Sequence, residues 1–321
     1  MSRSPVPGSS AIPAPVQDIL PDRTLVAGAL ICGYAVIIGF TDNYVRVIAS
    51  DIGLWQFHTM RTLMALALLA LAVPLFKMRL RPVRPVAVAA RSAIHGLAIL
   101  IYFGALAFLP VAIVAAGMFT APIFVLLITR FAFGHAIARI QMVAVFVGFL
   151  GVLMVLGPEA MAGASLAAVF PAVAGAFYAL GNIATRQWCA EESAETLVAG
   201  FFIGLGVFGM VGMGVLTLWP VDVPLGAAGF MLRGFAVPSP EVLGWTFAQA
   251  AGSLVGVLMM IRAYQMIDAS RASVIEYVVL PASALWGLAI WGDRLSLPAL
   301  AGMGFIVTAG VLIAARARRA A

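Results

Sequence analysis

Apolar residues run in stretches of about twenty along almost the whole chain, broken by short polar or proline-bearing segments. A helix rising about 1.5 Å per residue needs about 20 such residues to cross the ~30 Å hydrocarbon core of a bilayer. Ten spans are predicted, over residues 25–47, 54–76, 92–109, 111–133, 140–156, 165–187, 196–219, 241–262, 272–291 and 297–315. The short alternating segments of a membrane β-barrel are missing. The pattern therefore predicts an all-α integral membrane protein. Most connections are short, with Pro110 and Pro298 marking two of them. The exception is 220–240, where several prolines and Gly226 predict an extended outer loop. Residues 1–24 are rich in proline and serine without an apolar core, and are expected to be a disordered cytoplasmic tail rather than a signal peptide.

An internal repeat organises these spans. A shift of 159 positions brings Pro122 onto Pro281, Leu126 onto Leu285 and Phe146 onto Phe305, and it superposes Gly151-Val152-Leu153 on Gly310-Val311-Leu312. The expected layout is a first five-helix repeat over 25–156, a short outer linker over 157–164 and a second repeat over 165–321. Five is odd, so the two repeats must cross the membrane in opposite senses. Inverted repeats of this kind build many secondary carriers, with the solute held between the halves.

Composition removes the competing classes. Of 321 residues 63% are hydrophobic and 10% charged, against roughly a quarter charged in soluble domains. An ordinary soluble enzyme, a nucleic-acid binder and a disordered protein are excluded. The net charge of +6 reads as a topology signal instead. With the N-terminus in the cytoplasm, only Arg46, Arg61, Arg233 and Arg294 of the 19 basic residues fall outside, which places both termini in the cytoplasm. Cys32 and Cys189 lack CxxC or paired spacing and read as apolar fillers, so no metal and no cofactor is expected. No HExxH, GxSxG or GxxxxGK[ST] is present.

Scarce polar groups inside apolar spans are the candidate site, because each costs about 2.5–3.5 kcal/mol to insert and needs a partner or a cavity. Asp42, Asn43 and Arg46 end the first span. Asp42 and Arg46, four apart, can pair on one helix face or offer a solute contact at the mouth of a cavity. His58 and Arg61 open the second span; His58 reads either as a titratable group or as a hydrogen-bonded structural histidine, and Arg61 as a cap or a snorkelling cation. Glu276 and Tyr277 precede Pro281. A proline has no N–H, so the carbonyl of Tyr277, and that of Met118 before Pro122, is expected to be freed. Glu276 either serves the solute or pairs with Arg271 or Arg262. Further candidates for the cavity lining are His95, Tyr102, Tyr178, Asn182, Gln249, Tyr264, Gln265, Trp286 and Trp291; the aromatic ones could stack on a planar solute or belong to interface belts.

Three segments resemble the drug/metabolite transporter superfamily, in particular its ten-helix EamA-type members: GFTDNYVRVIASDIGLWQFHTMRTLMALALL from Gly39, AILIYFGALAFLPVAIVAAGMFTAPIFVLLITRFAFG from Ala98, and RAYQMIDASRASVIEYVVLPASALWGLAIWGDRL from Arg262. The Asp42 block is most similar to the subgroup that includes riboflavin and S-adenosylmethionine carriers. Where the family often has Gly-Glu at the ends of helices four and nine, this chain has Gly134-His135 and Gly292-Asp293. The resemblance implies a secondary active transporter moving a small metabolite, such as a vitamin- or nucleoside-like solute, across a bacterial-type inner membrane by alternating access. Efflux of amino acids or toxic compounds is the alternative. A membrane enzyme acting on a lipid-linked substrate is the alternative of another class. Proton coupling through Asp42 and Glu276 and a homodimer both stay open.

Overall fold

The computed structural model describes residues 23–105, 109, 111–134, 136–158 and 169–320. Among them the regular structure is helical, with no strand: α1 (Thr24–Asp42), α2 (Val45–Asp51), α3 (Leu54–Phe76), α4 (Pro85–Ala105), α5 (Val111–Met118), α6 (Ala121–Phe131), α7 (Arg139–Leu156), α8 (Val169–Gln187), α9 (Ala194–Leu218), α10 (Pro240–Met266), α11 (Ala269–Glu276), α12 (Val279–Trp291) and α13 (Leu297–Ala320). Nine segments of the described residues are long and apolar enough to cross a membrane, with α1–α2, α5–α6 and α11–α12 each counting as one. Helix α8 is not among the nine. The expected tail, apart from Arg23 and Thr24, lies outside the described residues, as do Pro110, His135 and most of the 157–164 linker.

Ordinary local chemistry sets several ends. Ser193 and Ser239 cap α9 and α10 by accepting from the N–H of Thr196 and Val242. Gly292 ends α12 at φ +70, a left-handed turn that suits a residue without a Cβ. Three spans predicted as continuous are interrupted instead. At Tyr44, Thr120 and Tyr277 the backbone switches to i→i−3 bonds: Tyr44 N–H to Thr41 O, Thr120 N–H to Gly117 O and Tyr277 N–H to Val274 O. Each is a tight 3₁₀-like step rather than an open gap. The carbonyl of Tyr277 is accordingly not free, as expected from Pro281, but accepts from Leu280 at 3.1 Å.

Small residues allow the helices to approach. Helix α7 lies along α13, where a Cβ on Gly302 would sit 2.6 Å from the Gly151 carbonyl oxygen. Helix α1 packs between α10 and α12, with Gly39 against the Ser283 backbone. Helix α8 lies across α4, α5 and α6, and Gly175 faces the Gly117 and Met118 carbonyls at the α5–α6 break. One apolar cluster joins Ile31, Val125, Val152, Tyr277 and Ile306, and a second joins Leu69, Phe202, Leu205 and Ile261. Large side chains also face outward, among them Leu71, Phe131, Phe146 and Val307, as a surface in contact with lipid requires. Cys189 is buried, in a turn after α8; Cys32 is exposed on α1 rather than filling a gap.

The 220–240 loop is tied down. Phe230 is buried with Ile48, Ile52, Leu54 and Phe57 of the α2–α3 corner. Gln56 makes two bonds with the Ala236 backbone, donating to its carbonyl at 2.7 Å and accepting its N–H at 2.8 Å. Arg233 donates to the carbonyls of Ala49 and Ile52, and Trp55 to that of Met231. Helix α10 runs from this end of the bundle to the end where Gln265 donates to the carbonyls of Cys189 and Glu192. Its 27 residues make it about 40 Å long.

Candidate functional site

Two polar layers lie inside the bundle, and α10 contributes to both. Gln249 and Tyr264 are fifteen residues apart on that helix, a separation of about 22 Å.

In the layer nearer the tied loop, Gln249 donates through Nε2 to Asp42 Oδ1 at 2.6 Å. Its Oε1 accepts from Arg61 Nη1 at 3.2 Å and from Ser253 Oγ at 2.6 Å. Two donors on Oε1 leave Nε2 for the carboxylate, so Arg61 and Ser253 fix the amide orientation. Arg61 is buried rather than snorkelling, and its guanidinium lies 5.3 Å from the Phe57 ring centre. The Asp42–Arg46 pair, one of the two readings open from the sequence, does not form. The 3₁₀ step at Tyr44 breaks the four-residue register, and Arg46 reaches Asp293 at 3.4 Å and stacks 4.0 Å over Trp291. Asn43 holds α1 to α12 by donating to the carbonyls of Gly39 and Ser283. Tyr44 stacks on Trp245 at 3.4 Å between ring centres. His58 is fully buried against Phe57 and Phe103, and neither ring nitrogen has a hydrogen-bond partner, so it is not the hydrogen-bonded histidine of the alternatives. Tyr102 stands edge-on to Phe103. Trp286 donates to the carbonyl of Val36 and packs on Phe40, a helix tie rather than part of either layer.

The second layer lies at the α11–α12 break. Glu276 ends α11 and is buried. Tyr178 OH donates to one carboxylate oxygen and Tyr264 OH to the other, the latter at 2.7 Å. Neither expected cation reaches it: Arg262 pairs with Glu195 at 3.0 Å, and Arg271 lies beside Asp268. Among the described residues, no Lys, Arg or His lies within ion-pair distance of Glu276. Behind the two hydroxyls is a cavity of about 80 Å³, lined by Tyr34, Arg91, Tyr178, Asn182, Phe201 and Tyr264 with several aliphatic side chains. Asn182 Oδ1 faces His95 Nε2 at 3.0 Å. Arg91, counted from sequence among the inner topology charges, is instead buried and donates to Thr185 Oγ1 and to the carbonyl of Leu197. A larger cleft, about 350 Å³, opens at the Gln265 end of the bundle between Thr129, Gln141, Ile183, Arg186, Asp268 and Ser270. Asn182 and Ile183 face the two spaces from neighbouring positions on α8. Pro122 and Pro281 are buried just beyond their breaks, in the first turns of α6 and α12.

Sequence reading reached Asp42, Gln249, Tyr178, Asn182, Tyr264 and Glu276, and the structure gathers them into these two layers. It missed Arg91, Thr185 and Tyr34. A basic residue near a span end reads as topology, and only packing reveals it as interior.

A helical bundle with nine candidate spans among the described residues, buried and mutually bonded polar groups and apolar outer faces is a multi-pass membrane protein. Residues 26–157 match the EamA-like transporter family. An "uncharacterized transporter" of Helicobacter pylori is 24% identical over 224 residues, 70% of this chain and 72% of that protein. The pseudopaline exporter CntI of Pseudomonas aeruginosa is 28% identical over 225 residues, again 70% and 72%. A crystal structure of a protein superposes with a TM-score of 0.68 over 91% of this chain and 99% of its own, at 18% identity, which is a likeness of fold. Family and relatives point to a transporter rather than an enzyme.

Proposed function

We propose that the protein is a secondary carrier that moves a small metabolite across a bacterial-type inner membrane by alternating access. The carrier has ten spans, α8 being the tenth, arranged as two inverted five-helix halves with both termini in the cytoplasm. Three features support the halves. The breaks after Met118 and Glu276 are 158 positions apart, one off the 159 of the proline repeat. Each break is followed by a proline. The repeat mates α7 and α13 pack on one another, as elements near a pseudo-dyad do.

The observation that carries the function is Glu276: a buried carboxylate with no cation beside it among the described residues, held by two tyrosine hydroxyls where a helix is interrupted. Ionisable groups in such places serve transport pathways and proton relays. Glu276, with Asp42 in the other layer, is the coupling carboxylate of the mechanism. Protonation turns one carboxylate oxygen into a donor, so the hydroxyl bonded to it loses its acceptor and is free to turn toward the solute; deprotonation recaptures it. The cleft at the Gln265 end, on the cytoplasmic side in this topology, is the route by which a cytoplasmic solute reaches the cavity. Asn43, Arg46, Tyr277 and Trp286 support the site by joining helices, and Tyr102 and His58 lie beside it around Phe103.

The solute is a vitamin- or nucleoside-like metabolite on the family resemblance. Export of an amino-acid-derived or toxic compound is the second reading, favoured by the exporter among the relatives. Uptake of candidate solutes into proteoliposomes, with and without an imposed pH gradient, tests the reading. Gradient-stimulated accumulation is expected, and equal initial rates remove the proton from the mechanism.

A further inference from the structure

The cavity behind Tyr178 and Tyr264 is lined by twelve residues, and only one of them carries a fixed charge. That residue is Arg91, which is 2% exposed. Its Nε–H goes to Thr185 Oγ1 at 2.9 Å and one Nη1–H to the Leu197 carbonyl at 3.1 Å, which uses two of the five donors of a guanidinium. Among the described residues no carboxylate lies within ion-pair distance of it. Glu276 is not on the cavity wall, being screened by the two tyrosines. Asn182 adds a neutral donor: its Oδ1 is engaged with His95, and its Nδ2 is buried without a partner. Ile99, Phe201, Val257, Met260 and Ile261 form an apolar side of the wall, and Tyr34, His95 and Thr185 complete it without a carboxylate.

A buried cation without an anion is costly, whereas a planar guanidinium with free N–H groups matches a carboxylate in a two-point bond. We propose that Arg91 is the anion-binding residue of this cavity, and that the transported solute is a carboxylate attached to an apolar body, with Asn182 Nδ2 as a second donor. The inference rests on reading the cavity as the solute site and adds the chemical class of the solute.

The test uses the purified full-length protein in detergent, its unfolding temperature, and three probes of one shape: benzoate, benzamide and benzylammonium. Each is supplied at about 10 mM, where a site of millimolar Kd is mostly filled. Benzoate is expected to raise the unfolding temperature, and the other two to leave it unchanged. Arg91→Lys should keep part of the benzoate shift, and Arg91→Gln should weaken benzoate by about tenfold or more. Arg91→Gln also cuts the ties to Thr185 and Leu197, so the readout is the ligand-dependent shift and not the starting temperature. Should that variant not fold, Ile99→Trp decides: it keeps Arg91 and both ties, fills the cavity, and should abolish the benzoate shift. No shift with benzoate, equal shifts with benzoate and benzamide, or a shift that survives Ile99→Trp overturns the proposal. Failure of pH-driven uptake alongside a benzoate shift counts against the carrier reading alone. Uptake without any benzoate shift counts against the anion site alone.

Discussion

Glu276→Gln separates the chemistry of the central carboxylate from its place in the packing. The side chain keeps its shape, but an amide offers one acceptor where the carboxylate offered two. Tyr178 and Tyr264 both donate to Glu276 in the structure, so one of them would face an N–H₂ group after substitution. A tyrosine hydroxyl can turn and accept, which limits the loss to about 1–2 kcal/mol for one charge-assisted bond exchanged for a neutral one. At about 2–4 °C per kcal/mol the unfolding temperature should fall by a few degrees, with normal expression. Transport should respond far more. Under the proposed proton coupling an amide cannot replace a carboxylate that gains and loses a proton, so gradient-driven uptake should drop by at least about tenfold, equivalent to ~1.4 kcal/mol on the barrier. The assay is initial uptake into proteoliposomes with and without a pH gradient, paired with solute exchange at equal pH. Exchange that persists while gradient stimulation disappears is the expected pattern. Full gradient stimulation in Glu276→Gln would refute the reasoning, and Glu276 would then be a packing residue. Tyr178→Phe and Tyr264→Phe, each removing one hydroxyl, should shift the pH dependence of uptake without abolishing it.

Gln249→Leu strips the acceptor from Arg61 and the donor from Asp42; a loss of about 1–3 kcal/mol is expected, read as a lower unfolding temperature, because the guanidinium stays buried. Gly302→Val places a Cβ 2.6 Å from the Gly151 carbonyl where α7 crosses α13, and should lower stability by at least about 1–3 kcal/mol; a variant as stable as the parent would contradict that crossing. Arg46→Ala removes an ion pair whose partners are 48% and 55% exposed, so a change below about 1 kcal/mol is expected, and a larger drop in unfolding temperature would give the pair a weight the geometry does not.

The apolar stretches announced the helical membrane class, because long apolar runs have few other uses in a folded chain. The positions of the breaks were half legible. Pro122 and Pro281 pointed near them, yet the backbone interrupts itself two to four residues earlier through i→i−3 bonds, a choice made by packing. The Asp42–Arg46 pairing failed for the same reason: helical spacing applies only while the helix is unbroken. Glu276 stood out as a rare acid in an apolar span, but its partners come from α8 and α10, and no local pattern links Tyr178 to Tyr264. Arg91 was invisible as a site residue because its position seven residues into α4 looks like an inner flank, and only the fold puts α8 and α9 over it.

The fastening of the 220–240 loop carries a mechanical consequence. Phe230, Arg233 and Ala236 are stitched to the α2–α3 corner, so the loop belongs to that corner although it connects α9 to α10. The stretch through Val221, Val223 and the 96% exposed Leu225 is extended, but the loop also returns to α9, where Phe235 N–H donates to Thr217 Oγ1 at 3.0 Å. On the α10 side Ser239 N–H donates to Asp51, and Val242 in the first turn of α10 is buried in the same cluster as Ile48, Leu54 and Phe57. The corner, the end of the loop and the start of α10 are therefore one fastened unit, and a displacement that parts α3 from α10 at this end would have to pull Val242 out of that cluster and break the Ser239–Asp51 bond.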